Sequence, residues 1–180
     1  MANHVYIACS LDGFIAKPNG SIDWLTSIPN EKDDDWGYSR FIKKIDAIII
    51  GRKTFETALL FGEWPYNRPV FVLSNNIKQI PDFIRSKAEL INGDLHKIID
   101  LLHIKKFNNI YIDGGQTIQS FLKADLIDEM IITTIPIILG NGIPLFGSID
   151  KELEFKLVNS EVLNNYMVKS YYKRIRNNQK

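Results

Sequence analysis

The fold is decided by the stretch Ile48-Ile49-Ile50-Gly51-Arg52-Lys53-Thr54, which has a counterpart in Ile110-Tyr111-Ile112-Asp113-Gly114-Gly115-Gln116-Thr117. In both, an apolar strand runs into glycine and then directly into a helical pattern. A glycine at such a turn lets a ligand approach the backbone, and the following helix directs free N–H groups and its positive dipole end to the same place. Two such turns, one of which carries Arg52 and Lys53, predict a site for a diphosphate and hence for a dinucleotide.

Short apolar strands alternate with helical patterns through most of the chain. Apolar runs between turn-forming residues predict strands at 5–9, 47–50, 70–73, 89–91, 110–112, 129–135, 155–163 and 166–174. Helical patterns follow the acidic run 33–35, open at 54, follow Asp94 and open at 117. This order predicts an α/β fold in three layers, with a mostly parallel central sheet of about eight strands. Asn164-Asn165 predicts a hairpin turn, so the C-terminal edge of the sheet should be antiparallel.

Length and composition are typical of one soluble domain, which we expect to span 1–180. The chain has 180 residues, is 45% hydrophobic and 24% charged, and carries a formal net charge of +1. This balance provides no field that would attract nucleic acid or an anionic membrane, so we expect neither as a partner. The single cysteine, Cys9, excludes an intrachain disulfide, and no signal-peptide pattern is visible, so we expect a cytoplasmic protein.

The sequence contains no pattern of metal ligands. His96 and His103 lie on one predicted helix without a carboxylate or cysteine partner. The motifs H-E-x-x-H, C-x-x-C and G-x-S-x-G are absent, which removes the usual support for a metallohydrolase or a serine hydrolase. We therefore expect no bound metal.

Each glycine turn has a structural alternative to ligand binding. Arg52 and Lys53 could meet the 2′-phosphate of NADPH while Thr54 donates to a diphosphate; otherwise Gly51 simply ends a strand and both cations are solvated. Gly114-Gly115 is the stronger signal because adjacent glycines cost backbone entropy, although close packing of helix on sheet would require one of them. Neither turn has the G-x-G-x-x-G fingerprint or a Walker loop. The prediction therefore depends on both turns lying at the carboxyl ends of one sheet.

If a dinucleotide supplies hydride, the acceptor needs a pocket and a group that manages the accompanying proton. Asp35 is the first candidate because it opens a predicted helix near the mouth of the sheet, although acidic runs commonly cap helices. Asp12 is an alternative that also suits an Asx-turn. Trp24 could stack on a flat heterocycle or belong to the core. Thr133 and Thr134 interrupt an apolar strand, and one of them should face the pocket.

A longer set of motifs matches a known family. The matching stretches, in chain order, are Ser10-Leu11-Asp12-Gly13-Phe14-Ile15-Ala16, Gly20, Trp24, Gly51-Arg52-Lys53-Thr54, Leu73-Ser74-Asn75, Asp113-Gly114-Gly115 and Leu139-Gly140-Asn141-Gly142-Ile143-Pro144-Leu145-Phe146. On these residues the chain resembles the dihydrofolate reductase-like superfamily. Within it, the chain is most similar to the C-terminal reductase domain of the bifunctional riboflavin-biosynthesis deaminase/reductase and to its stand-alone homologues.

The resemblance implies an eight-stranded sheet, NADPH as cofactor and hydride transfer to a small heterocyclic or ribosylamine substrate. The Ser-Leu-Asp-Gly opening is of the riboflavin type, so the implied activity is that of a 5-amino-6-(5-phosphoribosylamino)uracil reductase. Reduction of dihydrofolate or a pterin is the alternative, and a non-catalytic nucleotide-binding dimerisation module is the alternative of another class. An apolar late strand and the loop at 136–147 suit a twofold interface, so we expect a homodimer.

The resemblance also implies roles for individual residues. Ala8 and Ile15 would flank the nicotinamide, and Ser74 and Asn75 would border the adenosine. The phosphate groups would be held by Gly51, Arg52, Lys53, Thr54, Gly114, Gly115, Gln116 and Thr117. The predicted substrate residues are Asp12, Trp24 and Thr133, the last of which matches a strand threonine lining the pocket of dihydrofolate reductases. Asp35, the predicted catalytic residue, matches their carboxylate only by its distance from Gly51.

Overall fold

A computed structural model describes residues 1–28 and 34–176. Its strands are β1 Ala2–Ser10, β2 Phe14–Ala16, β3 Ala47–Gly51, β4 Val70–Leu73, β5 Ala88–Ile91, β6 Asn109–Asp113, β7 Glu129–Ile135, β8 Ile143–Pro144, β9 Phe155–Leu163 and β10 Met167–Arg174. Its α-helices are α1 Asp23–Thr26, α2 Tyr38–Ile42, α3 Arg52–Leu59, α4 Leu95–Ile104 and α5 Gly115–Lys123, and a 3₁₀ turn spans Asp82–Ile84.

Eight strands form one sheet, in the order β5-β4-β3-β6-β1-β7-β10-β9. The first six strands in this order run parallel, whereas β10 pairs antiparallel with β7 and with β9. Asn164 and Asn165, between β9 and β10, have φ values of 49° and 52°, as a hairpin turn with two left-handed residues requires. The predicted α/β fold with an antiparallel C-terminal edge is confirmed.

Helices cover the parallel part of the sheet on both faces, which produces the predicted three layers. Strand β3 is apolar on both sides for this reason: Ile48 and Ile50 pack with α2 and α3, while Ile49 packs with α4 and α5. We call the side of the sheet that packs with α2 and α3 the α2 face, and the side that packs with α4 and α5 the α5 face. Within the described ranges, no helix is both long and apolar enough to cross a membrane.

The helix after the acidic run is shorter than its apolar pattern suggests. Helix α2 covers only Tyr38–Ile42, because Trp36 and Gly37 have φ values of 54° and 87° and cannot belong to a right-handed helix. Asp33, in the predicted acidic start, lies outside the described residues. Helices α3 and α5 instead begin earlier than predicted, at Arg52 and Gly115, so each starts directly at its glycine turn.

Two segments in which the sequence predicted no strand contain a small second sheet. Strands β2 and β8 pair antiparallel there, which places Phe14 opposite Pro144 and Ala16 opposite Ile143. The prediction of a loop throughout 136–147 was wrong at Ile143–Pro144, and the strand at Phe14–Ala16 was not predicted. Strands of three and two residues are too short to produce a periodic signal.

Strand β1 leaves its neighbour β6 before either strand ends. Their pairing runs only from Ala2–Asn109 to His4–Tyr111, whereas β1 stays paired with β7 as far as Ser10–Ile135. We call this early end of the ladder the β1–β6 split. It lies toward the carboxyl ends of the parallel strands, where open α/β sheets bind their ligands.

Candidate functional site

The two glycine-led turns lie side by side on one rim of the sheet. Strands β3 and β6 are parallel neighbours, and their register places Ile50 beside Asp113. Gly51 and Gly114 therefore follow at the same level, and helices α3 and α5 both begin there. In the described part of the chain, no side chain caps the N-terminus of either helix. Two sets of first-turn N–H groups are thus available along this rim.

Each turn receives a threonine from the other. A Cβ atom on Gly51 would lie 2.6 Å from Thr117 Oγ1, and a Cβ atom on Gly114 would lie closer still to Thr54 Oγ1. Both positions therefore require glycine because the opposing hydroxyl occupies the space of a side chain. Gly114 also has a φ of 93°, which L side chains rarely adopt. The two turns interlock, and both hydroxyls lie at the line where they meet.

The second glycine of the β6 turn is covered by the small second sheet. A Cβ atom on Gly115 would lie 2.5 Å from Ile15 Cδ1 and 3.6 Å from Ile143 Cγ2. Ile15 lies on β2 and Ile143 on β8, so this sheet packs directly on the start of α5. The structure therefore brings Ile15, predicted to flank a nicotinamide, against the predicted diphosphate turn.

A groove of about 520 Å³ lies beside the interlocked turns. Six of the predicted cofactor residues line it: Gly51, Arg52, Ser74, Asn75, Gln116 and Thr117. The other lining residues are Leu73, Asn76, Gly93, Leu95 and Ser120. Its walls are thus the end of β4, the loop before α4 and the first turns of α3 and α5, and they are mostly polar.

The two predicted phosphate-binding cations are both exposed. Arg52 Nη1 donates to both carboxylate oxygens of Glu56, at 2.8 and 3.0 Å, one turn along α3. Ion pairs of this exposed kind contribute little free energy, so Arg52 can exchange its partner for a phosphate at small cost. Lys53 does not line the groove, and its role stays a prediction.

Ala8 and Thr133 are neighbours in the sheet. They are paired in register between β1 and β7, and the Thr133 side chain is buried. Thr134 lies on the other face of the sheet, beside Cys9, so Thr133 is the threonine on the α2 face. Ala8 therefore lies on β1, which borders the β1–β6 split, and Thr133 lies on β7, the other neighbour of β1.

Trp24 is buried in the core rather than open to the surface. It is 5% exposed and packs against Ile135 and Met167 in a cluster that Ala8 also contacts. Its indole N–H is buried and finds no acceptor among the described residues. An unpartnered buried donor carries a desolvation cost, and contact of Trp24 with a substrate stays a prediction.

Asp35 caps the helix that it precedes. Its carboxylate accepts hydrogen bonds from the Gly37 and Ser39 N–H groups, both at 2.8 Å. The hydrogen bonds from Ser39 hold the pKa of Asp35 below its usual range, so the carboxylate is ionised at neutral pH. This is the helix-capping alternative that the sequence left open, and contact of Asp35 with a substrate stays a prediction.

Asp12 joins two loops. Its Oδ1 accepts from Ser10 Oγ at 2.6 Å and from the Leu139 N–H at 3.1 Å, and its Oδ2 accepts from the Gly140 N–H at 2.7 Å. The hydrogen bond from Ser10 lowers the pKa of this carboxyl. The predicted contact of Asp12 with a substrate is untested, but the residue holds the β1–β2 loop against the segment before β8.

Asp113 is a site residue to which the sequence analysis gave no role. It ends β6 immediately before Gly114, whose N–H donates to its Oδ1 at 2.8 Å, and Tyr66 Oη lies 3.4 Å from its Oδ2. Burial raises the pKa of Asp113, and no cation in the described ranges offsets this effect. A carboxylate between an apolar strand and a double glycine was the available signal. Its hydrogen-bond partner Tyr66, from the loop before β4, was not predictable locally.

Comparison with known proteins places this geometry in a family. The model of the RibD C-terminal domain matches residues 4–169. The chain belongs to the RibD C-terminal domain family. YwjB of Bacillus subtilis (strain 168), an uncharacterised protein, is 40% identical over 157 residues, which are 85% of this chain and 87% of YwjB.

Solved structures of the family and of the wider fold superpose on the chain. A candidate riboflavin biosynthesis protein from Shewanella sp. PV-4 is 47% identical, with a TM-score of 0.95 over 98% of this chain and 100% of that one. The deaminase/5-amino-6-(5-phosphoribosylamino)uracil reductase of Thermotoga maritima has a TM-score of 0.72 at 16% identity, over 97% of this chain and 56% of that one. Dihydrofolate reductase from Enterococcus faecalis, complexed with NADP(H), has a TM-score of 0.65 at 18% identity, over 97% of both chains. The fold of the RibD C-terminal domain is dihydrofolate reductase-like, as the sequence motifs predicted.

Proposed function

We propose that this RibD C-terminal domain protein is an NADPH-dependent reductase. The observation that supports this most is the pair of interlocked glycine turns beside a polar groove. The residues fit the cofactor: Gly51 and Gly114 let the two turns approach until the Thr117 and Thr54 hydroxyls lie where the turns meet, and two uncapped helix N-termini supply further donors. When bound, NADPH supplies a hydride, which is chemistry that no side chain of the protein provides.

Each part of the site then has a distinct task. The groove at Ser74 and Asn75 would hold the adenosine end, and Arg52 would meet the 2′-phosphate. The Thr54 and Thr117 hydroxyls would donate to the diphosphate with the first-turn N–H groups. Ile15 and the small second sheet, which pack on Gly115, would cover the cofactor next to its diphosphate and exclude water there.

The substrate that we propose is a ribosylamine of a pyrimidine, such as 5-amino-6-(5-phosphoribosylamino)uracil. Family membership supports a riboflavin-type reductase, and Asp113 provides a half-buried carboxyl at the rim where β6 ends. Because burial raises the pKa of Asp113, this group exchanges a proton closer to neutral pH than Asp35 does. We therefore propose Asp113 as a proton-handling residue beside the predicted Asp35.

The direct test of this function mixes the protein with NADPH and the uracil ribosylamine phosphate and follows the loss of nicotinamide absorbance. We expect turnover with this acceptor and less with dihydrofolate. Binding of NADPH without oxidation by any acceptor would instead favour a non-catalytic nucleotide-binding module.

Replacing Arg52 and Lys53 together with alanine should weaken NADPH binding by about 1–3 kcal/mol and affect NADH less, because only NADPH carries the 2′-phosphate. Calorimetric titration of both cofactors measures the difference. Glu56→Ala is the matched control, since it removes the partner of Arg52 and leaves the cation. Equal losses for the two cofactors would contradict a role at the 2′-phosphate.

Replacing Asp35 with asparagine should lower turnover by about tenfold or more while the dissociation constant of NADPH changes little. The variant should also be less stable at neutral pH. The folded-state pKa of Asp35 is depressed, so its ionised form contributes stability above the unfolded pKa that is lost as the pH falls. Steady-state kinetics and thermal melting check both parts. Unchanged turnover would leave Asp35 with only its capping role.

We also propose that the protein forms a homodimer through its late strands. Strand β9 is at the edge of the sheet and exposes Leu157, Val158 and Val162, and the loop at 136–147 exposes Ile138 and Phe146. Apolar side chains on an unpaired edge strand favour association. Sedimentation equilibrium should report a dimer, and Val162→Lys should shift it toward the monomer. A monomer at all concentrations would contradict the proposal.

A further inference from the structure

Lys169 is a buried cation in the second position after Met167 on β10. It is 4% exposed and lies in register with Thr133 of β7 on one side and Glu161 of β9 on the other. Thr133 in turn is paired with Ala8 of β1. Lys169 therefore belongs to a row of residues that crosses the sheet and ends at positions predicted to meet the substrate and the nicotinamide.

The ammonium group of Lys169 joins β10 to the turn that precedes α2. Its Nζ donates to the Trp36 carbonyl oxygen at 2.5 Å and lies 3.1 Å from Glu161 Oε1. The Tyr6 hydroxyl donates to the same carbonyl at 2.7 Å. The Trp36 carbonyl oxygen thus accepts hydrogen bonds from two strands, β1 and β10. Glu161 Oε1, beside the ammonium, also accepts a hydrogen bond from the Tyr171 hydroxyl.

The turn that is held in this way has an unfavourable backbone conformation. Trp36 and Gly37 are both left-handed, and a Cβ atom on Gly37 would lie 3.2 Å from Lys169 Nζ. L residues such as Trp36 keep this conformation only where the surroundings enforce it. The next turn depends on it, because the Asp35 carboxylate reaches the Gly37 and Ser39 N–H groups across it.

Stability alone does not account for a lysine at this position. A buried charge must be desolvated, and an apolar side chain of similar length would fill the same volume without that cost. A cavity of about 270 Å³ also lies next to Lys169, lined among others by Trp36, Gly37 and Arg40. The turn therefore has room to relax on this side if the ammonium is removed.

We propose that Lys169 is a positioning residue for the substrate pocket: its ammonium holds the left-handed turn at Trp36 and so places Asp35 and the Trp36 ring. Trp36 packs against the same cluster of Trp24, Ile135 and Met167 that Ala8 contacts. Release of the turn would therefore alter the packing around Trp24 and Ala8, which are predicted to meet the substrate and the nicotinamide, without touching the groove beside Gly51. The inference rests on the proposed function for its catalytic consequence, but not for its structural one.

The test compares Lys169→Met, which keeps the length and removes the charge, with Lys169→Arg, which keeps a cation. The control is Lys173→Met, on the same strand, where the ammonium is exposed and 3.8 Å from Glu129. Hydrogen–deuterium exchange should show the Gly37 and Ser39 amides at least about tenfold faster in K169M, with β3 and β6 unchanged. K169R should exchange more slowly than K169M, and K173M should match the wild type.

Kinetics form the second arm, with 5-amino-6-(5-phosphoribosylamino)uracil as the probe. K169M should raise KM for this acceptor about tenfold or more while the dissociation constant of NADPH stays within about twofold. Unchanged exchange at Gly37 and Ser39, or equal acceleration in β3 and β6, would overturn the proposal. If the wild type binds NADPH but does not reduce the probe, the proposed function fails, and the exchange arm alone decides whether Lys169 holds the turn.

Discussion

Replacing Gly114 with alanine is expected to weaken NADPH binding by more than about a hundredfold and to destabilise the protein by about 2–4 kcal/mol. An alanine Cβ would collide with Thr54 Oγ1, and the residue would have to keep a φ of 93°. Relief of the collision would separate the two turns and so displace the donors that face the diphosphate. Calorimetric titration with NADPH and urea denaturation measure the two effects.

Gly62→Ala is the matched control for this variant. Gly62 also has a positive φ, 79°, but a Cβ atom there would meet nothing within 4 Å. Gly62→Ala should lower the stability by about 1–2 kcal/mol, through the backbone conformation alone, and leave NADPH binding unchanged. If the two variants weakened NADPH binding equally, the interlocked turns could not be the diphosphate site.

Replacing Asp113 with asparagine should lower turnover by about 10²- to 10⁴-fold, the usual range for loss of a proton-transferring group. The dissociation constant of NADPH should change only a few-fold, because the amide oxygen of the substituted side chain can still accept from the Gly114 N–H. Single-turnover kinetics with preloaded NADPH separates these effects. Turnover that remained near the wild-type value would remove Asp113 from the proposed site.

The same variant should gain stability relative to the wild type as the pH rises above the pKa of an aspartate in the unfolded chain. Burial raises the folded-state pKa of Asp113 above its unfolded value, so the favourable contribution of its protonated form is lost as the pH rises through the folded-state value. An asparagine cannot ionise and escapes this loss. Melting temperatures should therefore diverge in favour of D113N as the pH increases, in contrast to the loss expected for D35N. A stability difference between wild type and D113N that did not change with pH would contradict the raised pKa.

The main architecture was predictable because its signals are local. Strand β3 is a run of isoleucines that ends in glycine, and this pattern needs no knowledge of the rest of the chain. The hairpin at Asn164-Asn165 follows in the same way from residues that tolerate a positive φ. The family motifs then indicated a dihydrofolate reductase-like fold, which the structure confirms.

Features that depend on distant partners were not predictable. The pairing of β2 with β8 joins segments far apart in the chain, and neither is long enough to be recognised alone. Helix α2 starts late because Trp36 and Gly37 are left-handed, and the Trp36 carbonyl oxygen accepts a hydrogen bond from Lys169, which is far away in the chain. Asp113 likewise has a raised pKa only because the fold buries it.

The candidate site falls between these two cases. The sequence indicated that Gly51 and Gly114 belong to one ligand site, because parallel strands end at the same edge. It could not indicate that β3 and β6 are immediate neighbours, or that Thr117 and Thr54 would each occupy the space above the opposite glycine. Strand order is set by the packing of the whole sheet, so this detail emerges only in the folded chain.

A crystal structure of the protein with NADPH is the most direct test of the central claim. We expect the diphosphate within hydrogen-bonding distance of the first-turn N–H groups of α3 and α5, the adenosine beside Ser74 and Asn75, and the nicotinamide at the β1–β6 split. A cofactor bound elsewhere, or an empty rim at saturating NADPH, would contradict the account.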